Sequence, residues 1–455
     1  MDARTLHDCL ADLDRDLLQR DAAVRVLLLG ALAGEHVLLV GPPGTAKSEL
    51  ARRLHRVFAG ARYFERLLTR FSVPEELFGP LSLRALEDDR YERLTEGFLP
   101  TAQVAFLDEV FKANSAILNA LLTLLNEREF DNGAGRIAVP LITVVGATNE
   151  VPDDDALHAF YDRFALRVPV EPVTDSQFTT LLQLPARLVQ PQARLSQAGL
   201  DALRIRAEAV ALAPEVLALL VQARAMCAAL QIAVSDRRWR KLVGLLQVQA
   251  ASRGAAELNP WDLWLLPFVL AARPAQVAAL QAGFMAQVAQ AVPADVEWLT
   301  RAAEAFEKQL EIEWSAPASA SDDGAGKLAL ARAIAGPLAQ DSEQGLVRLV
   351  SERALKRYSA LHVATRVAQV DEARERAAAA LQAVVRTGQA VMAQARAHLW
   401  LPPSWRDAIA ALHQDNAQGL GALLARLDDA REGFATLPVD DALTGDAPRP
   451  VSLAA

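Results

Sequence analysis

The run Gly41-Pro42-Pro43-Gly44-Thr45-Ala46-Lys47-Ser48 comes close to G-x-x-x-x-G-K-[ST], with Ala46 standing at the second glycine. A triphosphate is the ligand this spacing suits. Backbone N–H groups of a tight loop with little side-chain bulk can converge on phosphate oxygens. Lys47 is placed to reach the β- and γ-phosphates. Ser48 offers a hydroxyl to Mg²⁺ where a helix start also favours anions. Alanine is the smallest departure from glycine, so the cradle survives it. Further along, the apolar run 104–107 ends in Asp108-Glu109. Asp108 would hold Mg²⁺, directly or through water, and Glu109 would activate an attacking water. Asn149, closing a third apolar run, could orient that water. An Asp-Glu pair or an asparagine at a strand end is otherwise an ordinary turn; the phosphate loop is what gives these residues weight.

Cleavage of a nucleoside triphosphate spreads negative charge over the γ-phosphoryl oxygens, and an added arginine accelerates it by about 10³–10⁵. Tyr161-Asp162-Arg163-Phe164 puts Arg163 between a helix and a strand, where it could project into a neighbouring subunit. Val234-Ser235-Asp236-Arg237-Arg238-Trp239 opens a helix. Ser235 or Asp236 would cap it, so that Arg237 could face the nucleotide across a cleft between subdomains. Arg128 competes for the first role and Arg238 for the second. The alternative for each is a surface pair with a carboxylate.

These residues need elements to hold them. Residues 16–34 carry Leu17, Val24, Leu27, Leu28 and Leu32 near helical spacing, with Gly34 as a stop. Runs 36–40, 104–107, 142–146 and 166–170 read as buried strands, and 48–58 and 114–128 as helices between them. Strand alternating with helix over 1–190 argues for an α/β unit, a parallel sheet covered on both faces. From about 175 the strand signals fade, and 191–275 reads as a compact all-α subdomain. Residues 276–435 read as an α-helical C-terminal domain, interrupted by a small, polar linker at 314–326. Residues 436–455 carry three prolines and read as a frayed tail.

Composition narrows the class. The 455 residues are 52% hydrophobic and 23% charged, which excludes a wholly disordered chain. A net charge of −9 offers no basic surplus for a non-specific nucleic-acid binder. No apolar run approaches the roughly 20 residues of a membrane span, and the first residues lack the apolar stretch of a signal peptide. A cytoplasmic protein is expected. Two cysteines, Cys9 and Cys227, cannot build a disulfide framework, and the seven histidines show no metal-ligand spacing.

Together, GPPGTAKS, FLDEVFKANSAILNALLTLLNEREF, GATNE, YDRF and SDRRW resemble a MoxR-type AAA+ ATPase. TRFSVPEELFGPLSLRALEDDRYERLTEGFLP, SDRRWRKLVGLLQ and HLWLPPSWRDAIAALHQDNAQ are most similar to its RavA (regulatory ATPase variant A) branch. The resemblance implies an AAA+ P-loop core with a helix-2 insertion at 81–97, seen as two short strand-like runs, followed by an all-α lid. It gives Lys47 and Ser48 Walker A roles, Asp108 and Glu109 Walker B roles, and Asn149 the sensor 1 role. Arg163 becomes the finger acting in trans and Arg237 the sensor 2 arginine. It further implies Mg²⁺ and ATP as cofactors, a hexameric ring, remodelling of a protein client, and a von Willebrand factor A-domain partner. The stretch 314–345 lacks the strands of that branch's β-rich insertion, so its decarboxylase partner is not carried over. A nucleotide-gated adaptor with little turnover, a nucleic-acid-directed ring motor and a metal chelatase are the alternative functions.

Overall fold

The computed structural model describes residues 3–133, 135–152, 154–185, 190–291, 293–316, 356–444 and 446–452. The chain divides into two compact units, Met1–Ala291 with Val391–Ile409, and Val292–Ala390 with Ala410–Ala455.

The first unit begins with helices α1 (Ala3–Asp14) and α2 (Asp21–Ala33), followed by β1 (Val37–Val40) and α3 (Lys47–Arg56). Gly34 ends α2 in a left-handed conformation (φ 75°), as its place after the apolar stripe predicts. Next in the chain are β2 (Tyr63–Leu67), α4 (Pro74–Phe78), α5 (Leu83–Glu87), β3 (Val104–Asp108) and α6 (Ser115–Glu127). The hairpin β4 (Glu129–Asp131) and β5 (Arg136–Ala138) precedes β6 (Thr143–Thr148), α7 (Asp155–Tyr161), β7 (Leu166–Pro169) and α8 (Asp175–Leu182).

Five strands pair in parallel in the order β2-β3-β6-β1-β7. The fold is therefore an α/β parallel-sheet core. β1 and β6 are buried along their whole lengths, because helices cover both faces. Ile117, Leu121 and Leu124 on one face of α6 join Leu38, Phe64, Leu107 and Phe164 in the core. The edge strand β2 was not legible in the sequence. Only Phe64 in it is buried, so Tyr-Phe-Glu-Arg-Leu shows no sustained apolar run. The two strand-like runs expected in 81–97 are also replaced. Ser82 caps the short helix α5, and a single antiparallel bridge, Leu81 to Arg93, is all the pairing there.

His36 locks the start of β1. Its Nδ1 accepts from the Val144 N–H at 3.0 Å and its Nε2 donates to the Leu125 carbonyl at 3.0 Å. Both nitrogens are thus used by the neutral ring. Burial pushes its pKa down from 6.5 to about 3. The unfolded chain therefore takes up a proton near pH 6.5 that the folded chain refuses, so stability is lost as pH falls below that value. Between pH 7 and 5, chemical denaturation should show stability falling by up to about 1.4 kcal/mol per pH unit from this residue. His36→Gln should flatten that slope; an unchanged slope would remove His36 as its source.

Helices α9 (Gln197–Glu208), α10 (Pro214–Ala229), α11 (Asp236–Ser252), α12 (Leu266–Leu270) and α13 (Ala275–Gln287) complete the helical part of this unit. α13 packs on α10 and α12, so the division falls at Ala291 and not at 275. The segment 391–409 belongs here too: Trp400 is buried with Nε1 on Ser252 Oγ at 2.8 Å, and Trp405 stacks among Trp264, Phe268 and Phe284.

The second unit is built from α14 (Glu297–Ser315), α15 (Ala360–Ala397) and α16 (Pro403–Ala435), the last two running in part through the first unit. Leu299, Phe306, Val370, Leu427 and Phe434 form its core. Glu313, buried, pairs with Arg366 at 2.8 Å. Trp314 and Ser315 end α14 and do not begin a linker; residues 317–326 of that expected linker lie outside the described residues. The segment read as a frayed tail is held in its described part. Leu437 is buried, Tyr358 bridges to Val439, and Arg366 donates to the Arg449 carbonyl at 2.8 Å. Among the described residues no helix is long and apolar enough to cross a membrane.

Candidate functional site

The loop Gly41–Ala46 leaves β1 at a residue with no room for a side chain. A Cβ on Gly41 would lie 2.2 Å from the Val170 carbonyl oxygen. Ala46 is left-handed (φ 67°), a conformation that costs an alanine about 1–2 kcal/mol, and it stands immediately before α3. The loop is braced from behind. Thr45 Oγ1 donates to the Pro42 carbonyl at 2.9 Å, and buried Arg20 reaches the Thr45 carbonyl through Nε at 3.2 Å and the Glu171 carbonyl through Nη2 at 2.6 Å. Arg20 escaped the sequence reading. Besides the adjacent Gln19 carbonyl, the partners that tie it to the loop are 25 and 151 residues away, so no local pattern could mark that role.

Lys47 opens α3, and its ammonium turns back on the loop. Nζ donates to the carbonyls of Gly41 at 2.5 Å and Pro42 at 2.9 Å, and to Asn149 Oδ1 at 3.4 Å. Burial pulls its pKa below the ordinary lysine value, with Asp108 and Glu109 opposing that shift. Ser48 follows in the first turn of α3.

Asp108 is the last residue of β3, and its Oδ1 accepts the Glu109 N–H at 3.0 Å. Glu109 is itself left-handed (φ 52°), which turns the chain out of the strand. Its Oε1 accepts from Asn149 Nδ2 at 2.5 Å and pairs with Lys112 Nζ at 3.2 Å. Asn149 directly follows β6, two strands across the sheet from β7 and beside β3. One amide thus touches both the loop lysine and the strand-end carboxylate. Three of the residues singled out from sequence, Lys47, Glu109 and Asn149, meet within hydrogen-bonding distance.

The chain's similarities run along this site. A family model described as the MoxR domain in the MoxR-vWA-beta-propeller ternary systems matches residues 4–206, and an AAA lid domain matches 215–284. Two uncharacterized proteins of Methanocaldococcus jannaschii are 40% and 39% identical to it over 256 residues. Each match takes in 56% of this chain, with 67% and 68% of the respective relative. The Chaperone MoxR1 of Mycobacterium tuberculosis is 29% identical over 174 residues, 37% of this chain and 45% of that protein. The chain belongs to the MoxR family of AAA+ ATPases.

In this MoxR-family chain the arginines lie at the other end of the sheet. The loop leaves the C-terminal end of β1, whereas Arg163 stands three residues before β7 begins. β1 alone separates the two ends by roughly 13 Å. Arg163 Nε is a buried donor without a hydrogen-bond partner among the described residues. Arg128 is spent: it donates to the carbonyls of Leu141 and Gly34, pinning α2 to the start of β6.

Ser235 is the cap of α11, accepting the Arg238 N–H at 3.3 Å. Arg238 is spent as well. It is buried against Asp162 at 2.5 Å and the Val269 carbonyl at 2.8 Å. That anchor decides where Arg237 goes. Arg237 points away from its own chain's Lys47 loop. Its Nη2 lies 3.5 Å from Asn126 Oδ1 at the end of α6, and Lys241, one turn on, pairs with Glu35 at 2.5 Å, just before β1. The first turn of α11 is docked on the N-terminal edge of the sheet.

Proposed function

We propose that this MoxR-family protein binds Mg-ATP at a site completed by a second copy, hydrolyses it, and couples that hydrolysis to remodelling of a partner protein. The backbone N–H groups of 41–46 would cradle the phosphates, Lys47 would take the β- and γ-oxygens, and Ser48 with Asp108 would hold Mg²⁺. The metal, when bound, neutralises charge developing on the transferred phosphoryl group. Glu109 would accept a proton from the attacking water, and Asn149 would orient that water. Arg163 and Arg237 would serve the nucleotide of a neighbouring copy. The observation that carries this reading is the separation itself. The lysine, the carboxylate and the amide converge at one end of the strands, while Arg163 and Arg237 stand at the other.

A ring, hexameric by family resemblance, satisfies that geometry because each interface joins one end to the other. The description of the matched family supports a von Willebrand factor A-domain protein, and a β-propeller protein with it, as partners. The likeness to the RavA branch rests on short motifs and brings no further partner. ATP turnover per subunit, measured across protein concentrations that span assembly, tests the shared site. It should rise with association. A constant specific activity down to the monomer would defeat the reading.

A further inference from the structure

Beside Arg237, an open cavity of about 520 Å³ lies between α9 and α11 at the N-terminal edge of the sheet, lined by Glu35, Arg204, Glu208, Arg237, Arg240 and Lys241 among others. Four cations face two carboxylates there, in a chain whose net charge is −9. Not all four are available. Arg204 is committed to the last carbonyls of α2, with Nε on Leu32 at 3.0 Å and Nη2 on Ala31 at 3.2 Å. Lys241 is held by Glu35. Arg237 and Arg240 remain, exposed, one helical turn apart on the same face of α11, and neither has a carboxylate partner among the described residues. Two forked guanidiniums over a cavity fit a multiply charged phosphate chain better than a single carboxylate.

We propose that Arg240, together with Arg237, contacts the polyphosphate of a nucleotide held by the Lys47 loop of a neighbouring copy. The reading rests on the shared site argued above and adds a residue to it. The pocket cannot serve its own chain's nucleotide, since β1 lies between the two. It needs no rearrangement of α11, because Arg238 and Lys241 already fix that helix and leave the Arg237–Arg240 face outward.

The test uses the full chain. Arg240→Ala should lower turnover by roughly 10²-fold, the scale of one donor lost from a developing oxyanion, with thermal stability unchanged and Arg240→Lys recovering part of the rate. Mixing Arg240→Ala subunits with Glu109→Gln subunits should restore activity. In mixed assemblies an intact Arg240 then faces an intact Glu109 across some interfaces. Parent-like turnover in Arg240→Ala, or no recovery on mixing, overturns the proposal. A third arm separates a free anion from a neighbour's nucleotide. If inorganic tripolyphosphate stabilises dilute, unassembled protein and Arg240→Ala abolishes that effect, the pocket binds free polyphosphate and the trans role falls. Failure of the parent to show concentration-dependent turnover would instead defeat the shared site itself.

Discussion

Glu109→Gln should bind ATP as the parent does and turn it over roughly 10²–10⁴-fold more slowly, the usual contribution of a positioned general base. The substitution keeps the shape of the side chain. It also keeps a hydrogen-bonding partner for Asn149, now 2.5 Å from Glu109 Oε1. What it removes is the negative charge that accepts the proton of water. The ion pair with Lys112 is lost as well, but that lysine is 62% exposed and such pairs contribute little to stability. Folding and nucleotide affinity should therefore stay near parent values, measured by thermal melting and by titration with a fluorescent ATP analogue. Because hydrolysis stalls while binding persists, the same variant should hold a client in an ATP-dependent complex. Turnover within a few fold of the parent would show that some other group accepts the proton, and the assignment of Glu109 would be withdrawn.

Arg163→Ala should reduce turnover by about 10³–10⁵-fold, the range known for arginines that complete phosphoryl-transfer sites from a neighbouring subunit. The separation of this effect from folding is favourable. Arg163 Nε has no hydrogen-bond partner within the described chain, so truncation orphans nothing there. Its neighbours hold themselves. Arg238 and Arg167 pair with Asp162, and Tyr161 donates to the Ala272 carbonyl at 2.6 Å. ATP affinity per subunit should be retained, because Lys47 and its loop belong to the other end of the sheet. A variant that loses affinity and turnover together would place Arg163 in a structural or nucleotide-binding role, and parent-like turnover would exclude it from the reaction.

Much of the site was legible because its chemistry is local. The candidate phosphate loop is eight consecutive residues between a strand and a helix, and the candidate carboxylates end an apolar run, so spacing alone singles them out. The helix stop at Gly34 and the cap at Ser235 are equally local, each satisfying backbone groups within a turn of itself. Asn149 lay at the edge of this class. Its position after a strand was readable, but its amide spans from Lys47 to Glu109, 102 and 40 residues away.

The amino-acid order on its own determined which residues could handle a triphosphate, the alternation that makes a parallel sheet, and the helical character of the chain beyond that sheet. Tertiary packing decided everything that depends on long-range partners. Arg20 became the brace of the phosphate loop, and Arg128 and Arg238 became internal ties and not free cations. The edge strand β2, too polar to announce itself, was recruited by pairing with β3. Above all, packing set the direction in which Arg237 points. An arginine's chemistry is the same wherever it stands. Which end of a sheet it serves is set by the buried contacts of its neighbour on the helix, and those are made with residues far away in the chain.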